Sequence, residues 1–307
     1  MEYAIAIDVG GNQIKYALVS RSGTIGYESI KTIKQPGRHQ HVIDLLKQIV
    51  TEAQAYANAT KWRVTGIGIG VPSLVEKGVV LFANNLPELD NINLETLMSD
   101  FSRLRVRVAN DADLMGLGEV RYGNAGDISD AIFLTIGTGI GGALILNKQL
   151  YNGYKNRGGE LGHIIIDQHG IPCSCGARGC LEAYASVNAL TNQYRELLVA
   201  SQHPMPPTVD GRYIFNRYLA SEKEAVAVMQ RHFGWLATGI VSLIHIFAPQ
   251  QVIIGGGISE AGEDYIDPIR RLAYAAAMKE SACFTHIVAA SLGNKAGYLG
   301  AAALVFS

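Results

Sequence analysis

Charge of either sign is nearly absent as an excess in this chain. Its 26 Lys and Arg face 27 Asp and Glu, for a formal net charge of −1. A protein built to hold nucleic acid normally carries a basic surplus, so that class is disfavoured. Long apolar runs are missing as well, and none approaches the ~18 residues of a membrane span. The opening Met1-Glu-Tyr-Ala-Ile-Ala-Ile-Asp8 has neither a basic region nor a cleavage site, so no signal peptide is expected. Cysteine is scarce, four residues in all, yet three of them fall within eight positions. Clustered thiols without a secretion signal favour metal binding in a reducing cytoplasm over disulfides. The fourth, Cys283, stands alone and is expected to be a buried small residue. No glycine turn ends in Gly-Lys-Ser/Thr, which excludes the P-loop.

What is present is a 48% hydrophobic, 17% charged sequence of 307 residues, enough for two packed domains or one large α/β unit. It opens with two apolar runs, Tyr3 to Ile7 and Ile14 to Val19, joined by Asp8-Val-Gly-Gly-Asn12 as a hairpin with a glycine-rich turn. A third strand is expected from Thr24 to Ile33, a helix from His41 to Tyr56, and a glycine-spaced strand from Val64 to Val71. Leu104 to Ala109 reads as a strand leading through Asn110-Asp111 into a helix over Ala112 to Arg121. The opening pattern then recurs roughly 130 residues on, as the strand Ala131 to Ile136, the turn Gly137-Thr-Gly-Ile-Gly-Gly142 and the strand Ala143 to Asn147. That repeat predicts two related domains facing each other. Helices are expected over Tyr184 to Ala200, Glu222 to Phe247, Ser259 to Lys279 and Lys295 to Leu304, with strands at Gln251 to Ile254 and His286 to Ala290. Strands alternating with helices make the fold class α/β.

Three glycine turns after strands, the two above and Gly255-Gly-Gly257, can present backbone amides to phosphate oxygens. The first two run on into a second strand, unlike the dinucleotide fingerprint, which opens a helix. Asp8, at the end of the first strand, can hold Mg2+ through water or simply cap a turn. Asn110-Asp111 is either an N-cap or the seat of a general base at the end of a strand. Cys173, Cys175 and Cys180 with one histidine, His163 or His169, compose a closed shell of the kind zinc prefers. Glu160 and Glu182 bracket that loop, either as solvated acids or as partners for the vicinal hydroxyls of a polyol such as a sugar.

Together these residues resemble the ROK family (repressors, open reading frames, kinases) of the actin-like ATPase superfamily, through nearly the whole chain. Asp8-Val-Gly-Gly-Asn-Gln-Ile-Lys15 is similar to the family's first phosphate motif. Ala83-Asn-Asn-Leu-Pro87 is similar to its sugar loop, Val108-Ala-Asn-Asp111 to its catalytic motif and Leu134 through Gly142 to its second phosphate motif. Glu160-Leu-Gly-His163 with Cys173-Ser-Cys-Gly-Ala-Arg-Gly-Cys180 resembles its zinc signature, and Ile253 through Gly257 its adenosine motif. The resemblance implies a two-domain, ribonuclease H-like fold with ATP and sugar in a cleft. It implies a split at residues 1–120 and 121–307, with the last helix packing back on the N-terminal domain. Asp111 would be the base acting on a sugar 6-hydroxyl. Asn85, Asn110, Glu160, His163 and Glu182 would hold other hydroxyls. Asp8, Gly10, Gly11, Asn12, Lys15, Gly137, Thr138, Gly139, Gly255, Gly256 and Gly257 would face ATP. His163 rather than His169 would complete a structural zinc site with Cys173, Cys175 and Cys180.

The implied activity is an ATP- and Mg2+-dependent kinase acting on a hexose or hexoside, glucose or a β-glucoside favoured, in a cytoplasmic homodimer with no nucleic-acid or membrane partner. N-acetylmannosamine kinase and a sugar-responsive regulator or sensor are the alternatives; a regulator would need a helix-turn-helix ahead of Asp8, where only seven residues stand. The chain departs from the family pattern at Asn12, Ser73 and Ala143, where Thr, Gly and Gly are common.

Overall fold

The computed structural model describes residues 1–33, 39–83, 86–123 and 128–307. The first half runs β1 (Glu2–Val9), β2 (Gln13–Ser20), β3 (Ile25–Thr32), α1 (His39–Ala59), β4 (Arg63–Val71), β5 (Leu74–Glu76), β6 (Val79–Phe82), β7 (Ile92–Asn93), α2 (Leu94–Ser102), β8 (Val106–Asn110) and α3 (Asp111–Tyr122). The second runs β9 (Ala131–Ile136), β10 (Ile140–Leu146), β11 (Gln149–Leu150), α4 (Leu181–Ala185), α5 (Val187–Ala200), α6 (Gly211–Leu219), α7 (Lys223–Phe247), β12 (Gln251–Gly255), α8 (Glu263–Ala276), α9 (Lys279–Ala282), β13 (His286–Ala289) and α10 (Ala296–Phe306).

Two five-stranded sheets repeat one plan. The orders are β3-β2-β1-β4-β8 and β11-β10-β9-β12-β13. In each, the first hairpin is antiparallel and the next two strands join in parallel. The duplicated strand–turn–strand pattern is therefore a duplicated sheet. A small third sheet, β5-β6-β7, was not anticipated, nor were α2 and α6. Both helices start at local caps: Asn93 accepts from Thr96 N and Asp210 from Tyr213 N.

The first sheet sorts its side chains by size. Tyr3, Ile5 and Ile7 of β1 pack with α1, whereas Ala4 and Ala6 face α10. Helix α10 ends the chain but lies on β1 and β4 of the first sheet. Helix α3 follows the first sheet but packs also on β9 and β10 of the second. The two helices cross each other between the sheets, and their backbones nearly touch. A Cβ on Gly300 would lie 1.7 Å from the Leu114 carbonyl oxygen.

Two expected helices are interrupted. The stretch Tyr184 to Ala200 breaks at Ser186, whose extended backbone (ψ 161°) ends α4 and caps α5 by accepting from Ala189 N. The stretch Ser259 to Lys279 is a 3-10 turn, Ser259–Ala261, then α8, then α9: Gly262 turns the chain at φ 71° before α8, and extended Ala277 and Met278 separate α8 from α9. The second strand of the later hairpin starts at Ile140 rather than Ala143. Cys283 is exposed rather than buried, its thiol 3.4 Å from the Glu280 carbonyl oxygen.

Candidate active site and zinc cluster

Strands β1 and β8 stop side by side with β4, and their ends carry the acids. Asn110 closes β8 and caps α3, its Oδ1 accepting from Ala112 N (2.8 Å) and Asp113 N (3.2 Å). Its amide group donates to Ser73 O at 3.3 Å. The capping reading of Asn110 is thus realised, and its side-chain oxygen is committed to the helix. Asp111 follows at the first position of α3 and lines a cavity of about 440 Å³ with Asn110, Asp113, Asn152 and Glu160. Burial pushes its carboxyl up to about 6, with the nearby Asp8 charge adding to the rise, the Ala112 amide opposing it and Glu160 adding a smaller push.

The second cavity, about 260 Å³, brings Asp8, Lys15, Gly137 and all of Gly255, Gly256 and Gly257 together. Burial raises the Asp8 carboxyl, and Lys15 opposes that rise. Lys15 Nζ donates to Asn294 Oδ1 at 3.4 Å. Gly256 is held at φ 98°, with the space for a Cβ filled by the Ile136 carbonyl oxygen 2.1 Å away, so glycine is required there. Gly10, Gly11, Asn12, Thr138 and Gly139 lie on the two hairpin turns beside this cavity rather than in its wall. Among the described residues, the amides of Gly11, Asn12, Thr138 and Gly139 carry no hydrogen bond.

His163 and the three cysteines converge. Nδ1 of His163 is 3.6 Å from Cys173 Sγ, Cys175 Sγ is 3.7 Å from Cys180 Sγ, and one ligand atom from each residue lies within 4.8 Å of the others. Tetrahedral Zn–S bonds of about 2.3 Å imply an S···S separation of about 3.8 Å, so the shell fits zinc. His169 is exposed and outside this group, its amide donating to Asp167 Oδ1. Glu182 is not a free acid. Its oxygens accept from Ile140 N (2.9 Å) and Ser174 Oγ (3.1 Å), tying the second glycine turn to the cysteine loop. Glu160 is exposed at the first cavity, whereas His163 and Glu182 do not line it. Asn85 falls outside the described residues. At Ser73 the hydroxyl is buried and donates to Phe82 O (2.6 Å), so it faces the fold rather than the cavity.

Asp113 and Asn152 were missed from the sequence. Asp113 is pushed up to about 7 by burial first, then by Glu160 and Asp111, and its Oδ2 accepts from Asn152 Nδ2 at 3.1 Å. Its only local signal is an acid three residues after an N-cap, which reads as ordinary helix-end chemistry. Glu119 was missed too. Its buried carboxylate accepts from Ser291 N, Ser291 Oγ and Leu292 N, fixing α3 to the segment before α10.

This architecture is shared with known proteins. A glucokinase of Thermotoga maritima is 32% identical over 98% of this chain and 96% of its own length. A putative xylose repressor of Caldicellulosiruptor sp. is 33% identical over 99% of this chain and 78% of its own. The crystal structure of a ROK family glucokinase from Streptomyces griseus in complex with glucose and AMPPNP superposes with a TM-score of 0.78, at 29% identity and 98% coverage of both chains. Residues 4–307 match the ROK family profile. The paired sheets are the two-domain actin-like ATPase fold, and the chain belongs to the ROK family.

Proposed function

We propose that this protein is an ATP-dependent sugar kinase that transfers the γ-phosphoryl group to the 6-hydroxyl of a hexose or hexoside, with glucose or a β-glucoside as the favoured acceptor. The observation that carries the reading is Asp111: a half-buried carboxylate at the end of β8, raised to about 6, on the wall of a sugar-sized cavity. Near neutral pH it is mostly ionised yet basic enough to take a proton, as a general base should be.

In the proposed step the acceptor oxygen forms a bond to the γ-phosphorus as its proton passes to an Asp111 oxygen. The bond from that phosphorus to the β–γ bridging oxygen breaks in line, and ADP leaves. Lys15 and the free amides of the hairpin turns would meet phosphate oxygens. Mg2+ arriving with ATP would offset phosphate charge on the side of Asp8. Glu160 would accept from acceptor hydroxyls. His163, Cys173, Cys175 and Cys180 would hold a structural zinc, which stiffens the loop between Glu160 and Glu182. Glu182 would then act mainly as the strut between that loop and the phosphate turn. The domain boundary would fall near residues 120/121, with α10 returning to the first sheet.

The repressor relative favours a second reading, a sugar-responsive regulator without catalysis. ADP release measured with glucose, cellobiose, other β-glucosides, fructose, mannose and N-acetylmannosamine separates the two. Turnover with any of them supports the kinase, and sugar binding without ADP release from any of them rejects it.

A further inference from the structure

Asn152 stands where two chain segments meet. Its backbone oxygen accepts from Gly158 N at 2.7 Å, closing the loop that leads directly to Gly159 and Glu160. Its side-chain amide donates to Asp113 Oδ2 at 3.1 Å, on the first turn of the helix that Asp111 begins. One residue therefore ties the Glu160 loop, which belongs to the second half of the chain, to the Asp111 helix of the first. Asp113 itself is 9% exposed, and Asp111, Asp113, Asn152 and Glu160 all border the same cavity.

The pair is also electrically unusual. Three carboxyls, Asp111, Asp113 and Glu160, gather on one cavity wall, and Asp113 is the most enclosed of them. A hydrogen bond from a neutral amide is the single hydrogen bond the Asp113 carboxylate makes among the described residues. The side-chain Oδ1 of Asn152 is buried and has no donor among the described residues. A proton on Asp113 would supply that donor once the amide turns over, so the pair can stay bonded whether or not Asp113 is charged. An acid serving only the helix dipole acts through its charge and needs no such partner.

We propose that Asp113, acting through Asn152, is a positioning residue that sets Glu160 against the acceptor, and so governs acceptor binding rather than phosphoryl transfer or ATP binding. The proposal rests on the kinase reading, in which Glu160 holds acceptor hydroxyls.

The experiment measures kcat and both KM values for Asp113→Ala, Asn152→Ala, Asp113→Asn, the Asp113→Ala/Asn152→Ala double variant and Glu160→Gln, with thermal melting as the check on folding. Losing one hydrogen bond to an ionisable group, worth about 1.5–3 kcal/mol, should raise the acceptor KM at least about tenfold in each alanine variant. The KM for ATP should stay within about twofold, and the double variant should be no worse than the singles, as expected of one coupled unit. Asp113→Asn keeps an acceptor for the Asn152 amide without adding charge and should restore the acceptor KM. An unchanged acceptor KM in both alanine variants overturns the proposal, as does an equal rise in the KM for ATP or an Asp113→Asn variant as impaired as Asp113→Ala. If Glu160→Gln also leaves the acceptor KM unchanged, it is the underlying assignment of Glu160 that has failed.

Discussion

Replacing Asp111 by Asn should sharply slow phosphoryl transfer and, at the same time, make the protein more stable. In the folded chain the Asp111 carboxyl sits at about 6, against an ordinary 3.8, because burial and then the Asp8 charge disfavour its ionised form. At about 1.36 kcal/mol per pH unit, that displacement makes the ionised side chain about 3 kcal/mol less favourable in the fold than in the unfolded chain. Water in the open cleft screens part of this, so about 2 kcal/mol is the expected effect. The sign follows from proton counting. Between pH 3.8 and about 6 the native state holds more protons than the unfolded state, so stability falls as pH rises through that window. Asparagine removes the charge and keeps an oxygen for the Ala112 amide, which Asp111 Oδ1 now meets at 2.9 Å. Urea unfolding at pH 8 should show the variant about 2 kcal/mol more stable than wild type, with the gap closing toward pH 4. Activity should fall by about 10²- to 10⁴-fold, the usual contribution of a general base. In the wild type, kcat/KM should decline below pH ~6 as the base takes up its proton. A variant that is no more stable at pH 8, or whose advantage does not shrink on acidification, would refute the strained carboxylate. Near-normal turnover would remove Asp111 as the base.

Other perturbations test the scaffold. Cys175→Ser should release zinc and lower the melting temperature, because a structural metal's binding energy is folding energy; elemental analysis finding no zinc in wild-type protein would dispose of the site. Gly300→Ala puts a methyl group 1.7 Å from the Leu114 carbonyl oxygen. It should cost about 3 kcal/mol or leave the chain insoluble, and a variant within about 0.5 kcal/mol of wild type in urea would contradict the α3–α10 contact. Glu119→Ala strands the amides of Ser291 and Leu292, which its carboxylate now holds at 2.9 and 2.8 Å. A loss of about 2–4 kcal/mol is expected by the same unfolding measurement, and a loss under about 1 kcal/mol would mean that water replaces those bonds.

Short-range features were readable before any coordinates. The repeated strand–turn–strand units, the N-cap at Asn110 and the cysteine loop each depend on residues a few positions apart, so periodicity and spacing expose them. The glycine spacing of β4 was visible in the sequence, though not the helix that covers it. The breaks at Ser186 and Gly262 were overlooked because a helical period continued through each one. Ser186 ends one helix and caps the next with a single side chain, which local propensity does not resolve.

By itself, then, the sequence determined the α/β class, the duplicated hairpins, the clustered cysteines of a candidate metal site and the carboxylate at the end of β8. Local geometry and ligand chemistry dictate these whatever the rest of the chain does. Tertiary structure alone decided which acids share a cavity and which are already engaged. Asp113 meets Asn152 across 39 residues, Glu119 meets Ser291 across 172, and Glu182 meets Ile140 across 42. Such pairings leave no periodic trace, because they join segments remote in sequence that meet only when the sheets and helices pack, and burial of the carboxyls follows from that packing.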